Sequence, residues 1–238
     1  MWLLLCNAHD RSALRAASGL RARGIAPLLV LTPELLHYSR RWEHRLDPDG
    51  SSSVVFTLAD GREVNGQDVR GVLNRIPAVP SHLLAHLVET DRAYAQQEWA
   101  ALHMSWLASL PVPVLNRPVS EGLCGAWRHA SEWAWLAMQA GLDPGEYVQA
   151  SGTTCQLRRD PATVATVLAV DGRGFGPVPD DVADACAHFG ALAGTRVLGV
   201  DLERETGAFV SASPLPELRA GGEHGLDALA RALRGSDA

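Results

Sequence analysis

Residues 1–31 read MWLLLCNAHDRSALRAASGLRARGIAPLLVL, and this stretch decides the fold class. Its short apolar run Trp2–Cys6 predicts a β-strand. Asp10 can cap the helix that follows, because an aspartate side chain accepts hydrogen bonds from the first backbone amides, and Gly24 is a natural helix stop. A second apolar run, Pro27–Leu31, completes a strand–helix–strand opening. We therefore predict an α/β fold.

The rest of the N-terminal half continues to mix strand and helix signals. The pattern predicts a hairpin from Val54 through an Asp60–Gly61 turn to Val64, a strand at Val72–Arg75, a helix from Glu89 to Leu110, a strand at Val112–Leu115 and a helix at Trp127–Ala140. Gly141 closes the last helix. Residues 1–142 are therefore predicted to form one continuous α/β lobe.

Beyond residue 142 the pattern changes to short strands. Strands are predicted at Tyr147–Ala150, Thr154–Arg158 and Val164–Val170, then a Gly- and Pro-rich link over 171–179, a helix at Asp180–Leu192, strands at Arg196–Leu202 and Ala208–Ala212 and a helix at Gly225–Leu233. This order predicts a smaller α+β lobe over residues 143–238.

The charge distribution excludes one class of partner. The 238 residues carry a formal net charge of -6, and the arginines are scattered among acidic residues. A nucleic-acid-binding face needs clustered basic residues, so we predict no nucleic-acid partner. The run Trp2–Cys6 has neither the basic start nor the length of a secretory or membrane-spanning segment, which predicts a cytoplasmic protein with no membrane partner.

The residue types present exclude several kinds of chemistry. The cysteines form no CxxC pair and no Cys/His cluster with metal-ligand spacing, so we interpret Cys6, Cys124, Cys155 and Cys186 as reduced thiols. All 21 residues counted as Lys+Arg are arginine, so a mechanism that requires lysine is excluded. Phosphate-loop, dinucleotide, nucleophile-elbow and zinc-protease motifs are also absent.

Several segments nevertheless occur in a suggestive order. Val72–Arg75 is a strand that ends in Asn-Arg, and the long helix after it leads to Pro113–Pro118, a strand that ends in Asn-Arg-Pro. The next helix is followed by a Gly-Leu-Asp-Pro turn at Gly141–Pro144. Near the C terminus, Gly199–Leu202 is a strand with an acidic residue and Phe209–Pro214 is the next strand. This order resembles the ATP-grasp peptide and amino-acid ligases, especially those that modify ribosomally made peptides.

The resemblance implies a fold and a metal position. The fold is a pre-ATP-grasp-like α/β N-terminal lobe over residues 1–142 and a reduced α+β ATP-grasp-like C-terminal lobe over 143–238, which lacks most of the nucleotide-binding subdomain. Asp201 fits the family's first metal-ligand position, whereas Ser211 and Ser213 stand where the family has a Glu-x-Asn pair. Mg²⁺ prefers anionic oxygen ligands, and two serines supply no charge.

The part of the chain that would hold a nucleotide is short. The family inserts a subdomain whose lysines reach the phosphates, whereas only Tyr147–Val170 occupies that place here. Arg158 and Arg159 are the candidate phosphate clamp, because a guanidinium binds phosphate bidentately. The alternative is that both are solvated residues at a strand end.

Two hypotheses of function follow from the resemblance. The first is a truncated and degenerate, noncatalytic accessory or regulatory protein that partners a ligase or a peptide-modifying system and needs no cofactor. The alternative is an ATP-dependent carboxylate–amine ligase that uses ATP and Mg²⁺, with Asp201 as a metal ligand and arginines in place of lysines. The missing Glu-x-Asn pair, the lack of lysine and the short middle favour the first hypothesis.

Polar residues at the ends of two predicted strands form a candidate substrate site. These residues are Asn74, Arg75, Asn116 and Arg117. Parallel strand ends converge in a crevice, where such side chains could bind the carboxylate of a small molecule or a peptide. The alternative is that they cap the strand ends and satisfy loop carbonyls.

Tryptophan is concentrated on the two predicted long helices. Trp99, Trp106, Trp127, Trp133 and Trp135 lie there. They either pack in the core or present an apolar face to a partner protein.

Overall fold

The computed structural model describes residues 1–145 and 163–235. The chain divides into two compact units, Met1–Gly125 with Ala230–Ala238 and Ala126–Leu229. The predicted strands Tyr147–Ala150 and Thr154–Arg158 lie outside the described residues. Within the described ranges, no helix is both long enough and apolar enough to cross a membrane.

The first unit is built on a parallel sheet. Its elements are β1 (Trp2–Cys6), α1 (Arg11–Ala22), β2 (Leu28–Leu31), α2 (Pro33–His37), β3 (Arg41–Leu46), β4 (Ser52–Thr57), β5 (Glu63–Asn65), β6 (Gly71–Arg75), α3 (Glu89–Ser109) and β7 (Val114–Leu115). Four of the strands pair in parallel in the order β2-β1-β6-β7. Asp10 caps α1 by accepting a hydrogen bond from the Ala13 amide at 2.9 Å. The predicted strand–helix–strand opening is confirmed.

A second sheet in this unit contains a strand that the sequence did not predict. Strands β3, β4 and β5 pair antiparallel in that order, so the predicted hairpin is part of a three-stranded sheet. Strand β3 reads RWEHRL, and Glu43 forms exposed ion pairs with Arg41 and Arg45. Between them, Trp42 packs against Phe56 with ring centroids 5.2 Å apart. Because every second residue of this segment is charged, the sequence pattern did not predict that it forms a half-buried strand.

The core of the first unit includes an aromatic cluster formed by Trp42, Phe56, Trp99, His103 and Trp106. The rings of Phe56 and Trp106 are 4.7 Å apart, and Trp99 stacks on His103 at 5.2 Å. Trp106 and His103 are fully buried, and Trp99 is nearly so. Of the two roles considered for the α3 tryptophans, core packing is therefore the one that the structure shows.

The second unit contains an antiparallel sheet covered by helices. Its elements are α4 (Ala130–Gln139), β8 (Val164–Val170), β9 (Arg173–Phe175), α5 (Asp180–Leu192), β10 (Val197–Glu203) and β11 (Phe209–Ser213), and α6 (Gly222–Arg234) follows. The strands pair in the order β11-β10-β8-β9. The first unit has a parallel and an antiparallel sheet and the second unit has an antiparallel sheet, which confirms the predicted mixture of α/β and α+β architecture.

Strand β9 lies within the stretch that was predicted to be a link. Its central residue, Gly174, approaches the backbone of α5 so closely that a Cβ atom there would lie 2.1 Å from the Ala183 carbonyl oxygen. A glycine that permits close backbone approach within a strand carries the same sequence signal as a loop glycine. The pairing of β9 with β8 and its packing against α5 show that this glycine lies in a strand.

The compact units do not divide where the sequence predicts a boundary. Helix α4 packs in the second core, where Trp133 contacts Phe189 at 5.7 Å and Phe189 contacts Phe209 at 5.5 Å between ring centroids. The units therefore divide after Gly125, whereas the prediction placed α4 in the N-terminal lobe and the boundary after residue 142.

Candidate functional site

The carboxyl ends of β1, β6 and β7 meet at one edge of the parallel sheet. These strands are neighbours and run in the same direction. Asn74 and Arg75 are the last residues of β6, and Asn116 directly follows β7. Ligands of open parallel sheets bind outside this kind of edge. The structure thus brings three of the four predicted substrate residues to one place.

Arg75 forms an ion pair with the residue that caps α1. Its side chain is 5% exposed, and its Nε donates to Asp10 Oδ2 at 2.8 Å while Nη2 lies 3.4 Å from Asp10 Oδ1. The same carboxylate accepts the Ala13 amide. Asp10 therefore caps the helix and neutralises the guanidinium, so a substrate carboxylate would compete with Asp10 for Arg75.

Cys6 lies at the same edge but cannot act as a ready nucleophile. Burial raises the pKa of its thiol to about 11, with the negative charge of Asp10 acting in the same direction and Arg75 acting against it. Because the thiolate is the reactive form, Cys6 is protonated and unreactive at neutral pH.

Asn74 bridges two loops beyond the sheet edge. It is fully buried, and its Nδ2 donates to the carbonyl oxygens of Asn116 at 2.9 Å and Leu123 at 2.6 Å. Its Oδ1 accepts the Ile76 amide at 3.3 Å. Asn116 itself has a φ of 60°, in the left-handed region that asparagine tolerates better than most residues. These contacts fix the loop that follows β7.

Arg117 contacts the end of α3. Its guanidinium donates to the carbonyl oxygens of Leu107 at 2.5 Å, Leu110 at 2.9 Å and Val112 at 3.0 Å. The last carbonyls of a helix have no partner within the helix, so this arginine satisfies groups that would otherwise lack one. This contact corresponds to the alternative role considered for Arg117, and a substrate-binding role for the four residues stays a prediction.

In the second unit, Asp201 is the centre of a row of three polar residues. It lies on β10, directly opposite Thr166 of β8 and Ser211 of β11. Thr166 Oγ1 donates to Asp201 Oδ1 and Ser211 Oγ donates to Asp201 Oδ2, both at 2.7 Å. Thr166 was not singled out from the sequence, because only the strand register places it beside Asp201.

Ser213 lies on the same face of β11 as Ser211, two residues further along. It is paired with Gly199 of β10, and its Oγ accepts the Leu215 amide at 3.1 Å. A Cβ atom at position 199 would lie 2.9 Å from Pro216 Cβ, so the chain after β11 folds closely over this end of the sheet. The polar row centred on Asp201 lies two residues further along β10, on the same face of the sheet.

Comparisons with known proteins identify this arrangement of elements. No family model matches the sequence, and the search of curated proteins found no match. The macrocyclase MdnC from Microcystis aeruginosa MRC, bound with precursor peptide MdnA, matches with a TM-score of 0.70 over 99% of each chain at 14% identity. The chain has an ATP-grasp-like fold.

Two further ATP-grasp structures extend this likeness. A RiPP-associated ATP-grasp ligase from Chryseobacterium gregarium, in complex with ADP and a leader and core peptide, matches with a TM-score of 0.66 over 98% of this chain and 96% of that one, at 10% identity. The ATP-grasp ligase PsnB, complexed with minimal precursor, Mg and ADP, gives a TM-score of 0.60 over the same shares at 16% identity. The predicted resemblance is thereby confirmed at the level of the fold.

The described residues around Asp201 do not fit the Mg²⁺ that the ATP-grasp fold implies. Both oxygens of the carboxylate accept hydroxyl groups of the protein itself. Within residues 1–145 and 163–235, no group of three His, Cys, Asp or Glu side chains could hold a metal ion. Mg²⁺ at a nucleotide site is bound by one or two carboxylates together with the phosphates. This row supplies one carboxylate and two neutral hydroxyls, and it lacks the second carboxylate and the amide that the resemblance implies. The candidate phosphate residues Arg158 and Arg159 lie outside the described part of the chain.

Proposed function

We propose that the protein is a noncatalytic component of a peptide-modifying system and that it binds the system's peptide. The observation that carries the peptide-binding part of this proposal is the fold match to MdnC over 99% of each chain, in a structure where MdnC is bound with its precursor peptide. The Asp201 carboxylate, whose register partners are two hydroxyl residues and not further acids, supports a role without ligation.

Exposed aromatic residues of the second unit support binding of a partner. Trp135 is 55% exposed, and Met138, on the same face of α4, is 51% exposed. Trp127, just before the helix, is also exposed, whereas Trp133 is buried. Large apolar side chains of this kind concentrate at the energetic centres of protein interfaces. We propose that this face of α4, made of Trp135 and Met138, contacts the peptide.

Replacing Trp135 by alanine is expected to weaken peptide binding by about tenfold or more, because truncation of a tryptophan at the centre of an interface removes much of its contact area. The free energy of unfolding should change little, since the side chain is exposed. Binding can be measured by co-purification and calorimetry with the candidate precursor peptide encoded beside the gene. Tyr94→Ala, which truncates an exposed aromatic residue of the first unit, is the matched control. Equal retention of peptide by both variants would count against the α4 face.

A second candidate is an ATP-dependent carboxylate–amine ligase. The fold comparisons favour it more directly, because the similar structures named above include ligases and one is complexed with Mg and ADP. Such an enzyme would phosphorylate a carboxylate with ATP, and an amine would displace phosphate from the acyl phosphate to form the amide. Asp201 would hold Mg²⁺ together with the phosphates of ATP, without the second carboxylate that the resemblance implies.

Calorimetric titration with ATP and Mg²⁺, followed by an assay of ADP release with the peptide present, separates the two candidates. We expect no Mg²⁺-dependent nucleotide binding and no ADP release above the level of an Asp201→Ala variant. Peptide binding without ADP release would support the proposed function. Release of ADP that is lost in Asp201→Ala would overturn it in favour of the ligase, and absence of peptide binding would remove the peptide-binding proposal.

A further inference from the structure

The polar row in the second unit joins three neighbouring strands through their side chains. Thr166, Asp201 and Ser211 are register partners on β8, β10 and β11. The two hydroxyl-to-carboxylate distances are both 2.7 Å, within the range for hydrogen bonds between neutral hydroxyls and an ionised carboxylate. The Asp201 carboxylate therefore links β10 to both of its neighbouring strands.

The row lies where the strand register changes. The pairing of β10 with β11 shifts between Asp201 and Leu202, after three regular pairs that end at Asp201 opposite Ser211. A shift of this kind leaves a residue unpaired and interrupts the backbone ladder. Among the strands that the structure describes, β11 is at the edge of its sheet, where its Phe209 amide also donates to the carbonyl oxygen of Asp143 at 2.8 Å. The Ser211 hydroxyl supplies a side-chain contact beside the shift.

The row offers a divalent cation one anionic side chain. The Thr166 and Ser211 hydroxyls each direct their hydrogen at Asp201, so neither adds negative charge beside the carboxylate. The nearest acidic residue along β10, Glu203, accepts the Thr206 hydroxyl at 2.7 Å. No second carboxylate is thus provided by the register partners of Asp201.

We propose that Thr166, Asp201 and Ser211 form a hydrogen-bonded clip that fixes β11 in register, at the position where the resemblance to the ATP-grasp ligases places a metal ligand, and that the clip does not bind divalent cations. Ser211 is exposed and Ser213 is partly buried. Both lie on the face of the sheet that also carries Asp201 of β10. Ser211→Glu together with Ser213→Asn would supply the carboxylate and the amide that the row lacks. The clip is independent of peptide binding and is tested without peptide.

The structural half of the proposal is tested by chemical unfolding of single variants. Thr166→Val and Ser211→Ala each remove one hydroxyl and should lower the folding equilibrium constant by about tenfold. Asp201→Asn can still accept from one hydroxyl and donate to the other, so it should cost less than Asp201→Ala. Ser213→Ala is the matched control, because its hydroxyl contacts the Leu215 amide and not Asp201. Wild-type stability in both Thr166→Val and Ser211→Ala would overturn the clip.

The metal half is tested by titrating the full chain with Mn²⁺, a paramagnetic stand-in for Mg²⁺, and observing the free ion by electron paramagnetic resonance. Wild type, Ser211→Ala and Asp201→Asn should leave Mn²⁺ free, whereas the Ser211→Glu/Ser213→Asn variant should bind it. Adding Asp201→Asn to that variant should abolish the gained binding. Mn²⁺ binding by wild type that Asp201→Asn removes would overturn the proposal, as would a failure of the folded double variant to bind.

Discussion

Replacing Asp10 by alanine is expected to lower the free energy of unfolding by about 3–5 kcal/mol, because it leaves the buried Arg75 guanidinium without its carboxylate. The loss of the α1 cap adds to this, since such caps contribute about 1 kcal/mol. Asp10→Asn keeps a capping oxygen and should have an intermediate effect. Urea unfolding, followed by circular dichroism, measures both variants.

The exposed pair formed by Asp60 and Arg62 provides the control for this prediction. Its side chains are 52% and 53% exposed, so Asp60→Ala should cost far less than Asp10→Ala. A similarly small cost for Asp10→Ala would show that Asp10 does not hold Arg75. Arg75 would then be available to a ligand, and the predicted carboxylate site at this sheet edge would gain support.

Acidification is expected to destabilise the protein by about 3 kcal/mol through His103 alone. The side chain is fully buried between aromatic rings, and neither ring nitrogen has a hydrogen-bond partner among the residues that the structure describes. Burial lowers its pKa from 6.5 to about 4. The unfolded chain therefore binds a proton more readily than the native state, so stability falls as pH decreases from about 6.5 to about 4 and changes little above that window.

His103→Phe isolates this effect from the other titrating groups. Burial also lowers the pKa of His37 and of His44, so wild type and variant share those contributions. Denaturant unfolding at a series of pH values should give a smaller loss of stability in acid for the variant. Near pH 7.5 the variant should be at least as stable as wild type, because two unpartnered nitrogens are removed. Parallel pH profiles for the two proteins would show that His103 is solvated or hydrogen-bonded in solution.

The sequence predicted the elements whose signals are local. Helix α5 begins and ends where it was predicted, at Asp180 and Leu192, because acidic residues at its start favour the positive end of the helix dipole. The Asp10 cap was predicted for the same kind of reason. Strands β3 and β9 were missed. The charged side chains of β3 and the glycine of β9 are also typical of loops, so the sequence pattern alone does not distinguish these strands from loops.

The candidate site was also predictable only in part. Its residues were named from the sequence, and the structure places Asn74, Arg75 and Asn116 together at one sheet edge, but their contacts were not predictable. Whether these side chains and Asp201 bind substrate and metal depends on what else lies beside them. Arg158 and Arg159 fall outside the described residues, so their assignment stays a prediction.

The sequence by itself determined the α/β opening, the order of most strands and helices and the exclusion of lysine chemistry, since these depend on residue type and on neighbours along the chain. The tertiary structure decided that Asp10 neutralises Arg75 and that Thr166 and Ser211 engage Asp201. These partners are separated by 65, 35 and 10 residues along the chain. The physical reason is that hydrogen bonds and ion pairs act over a few ångströms, so strand pairing determines which distant side chains meet.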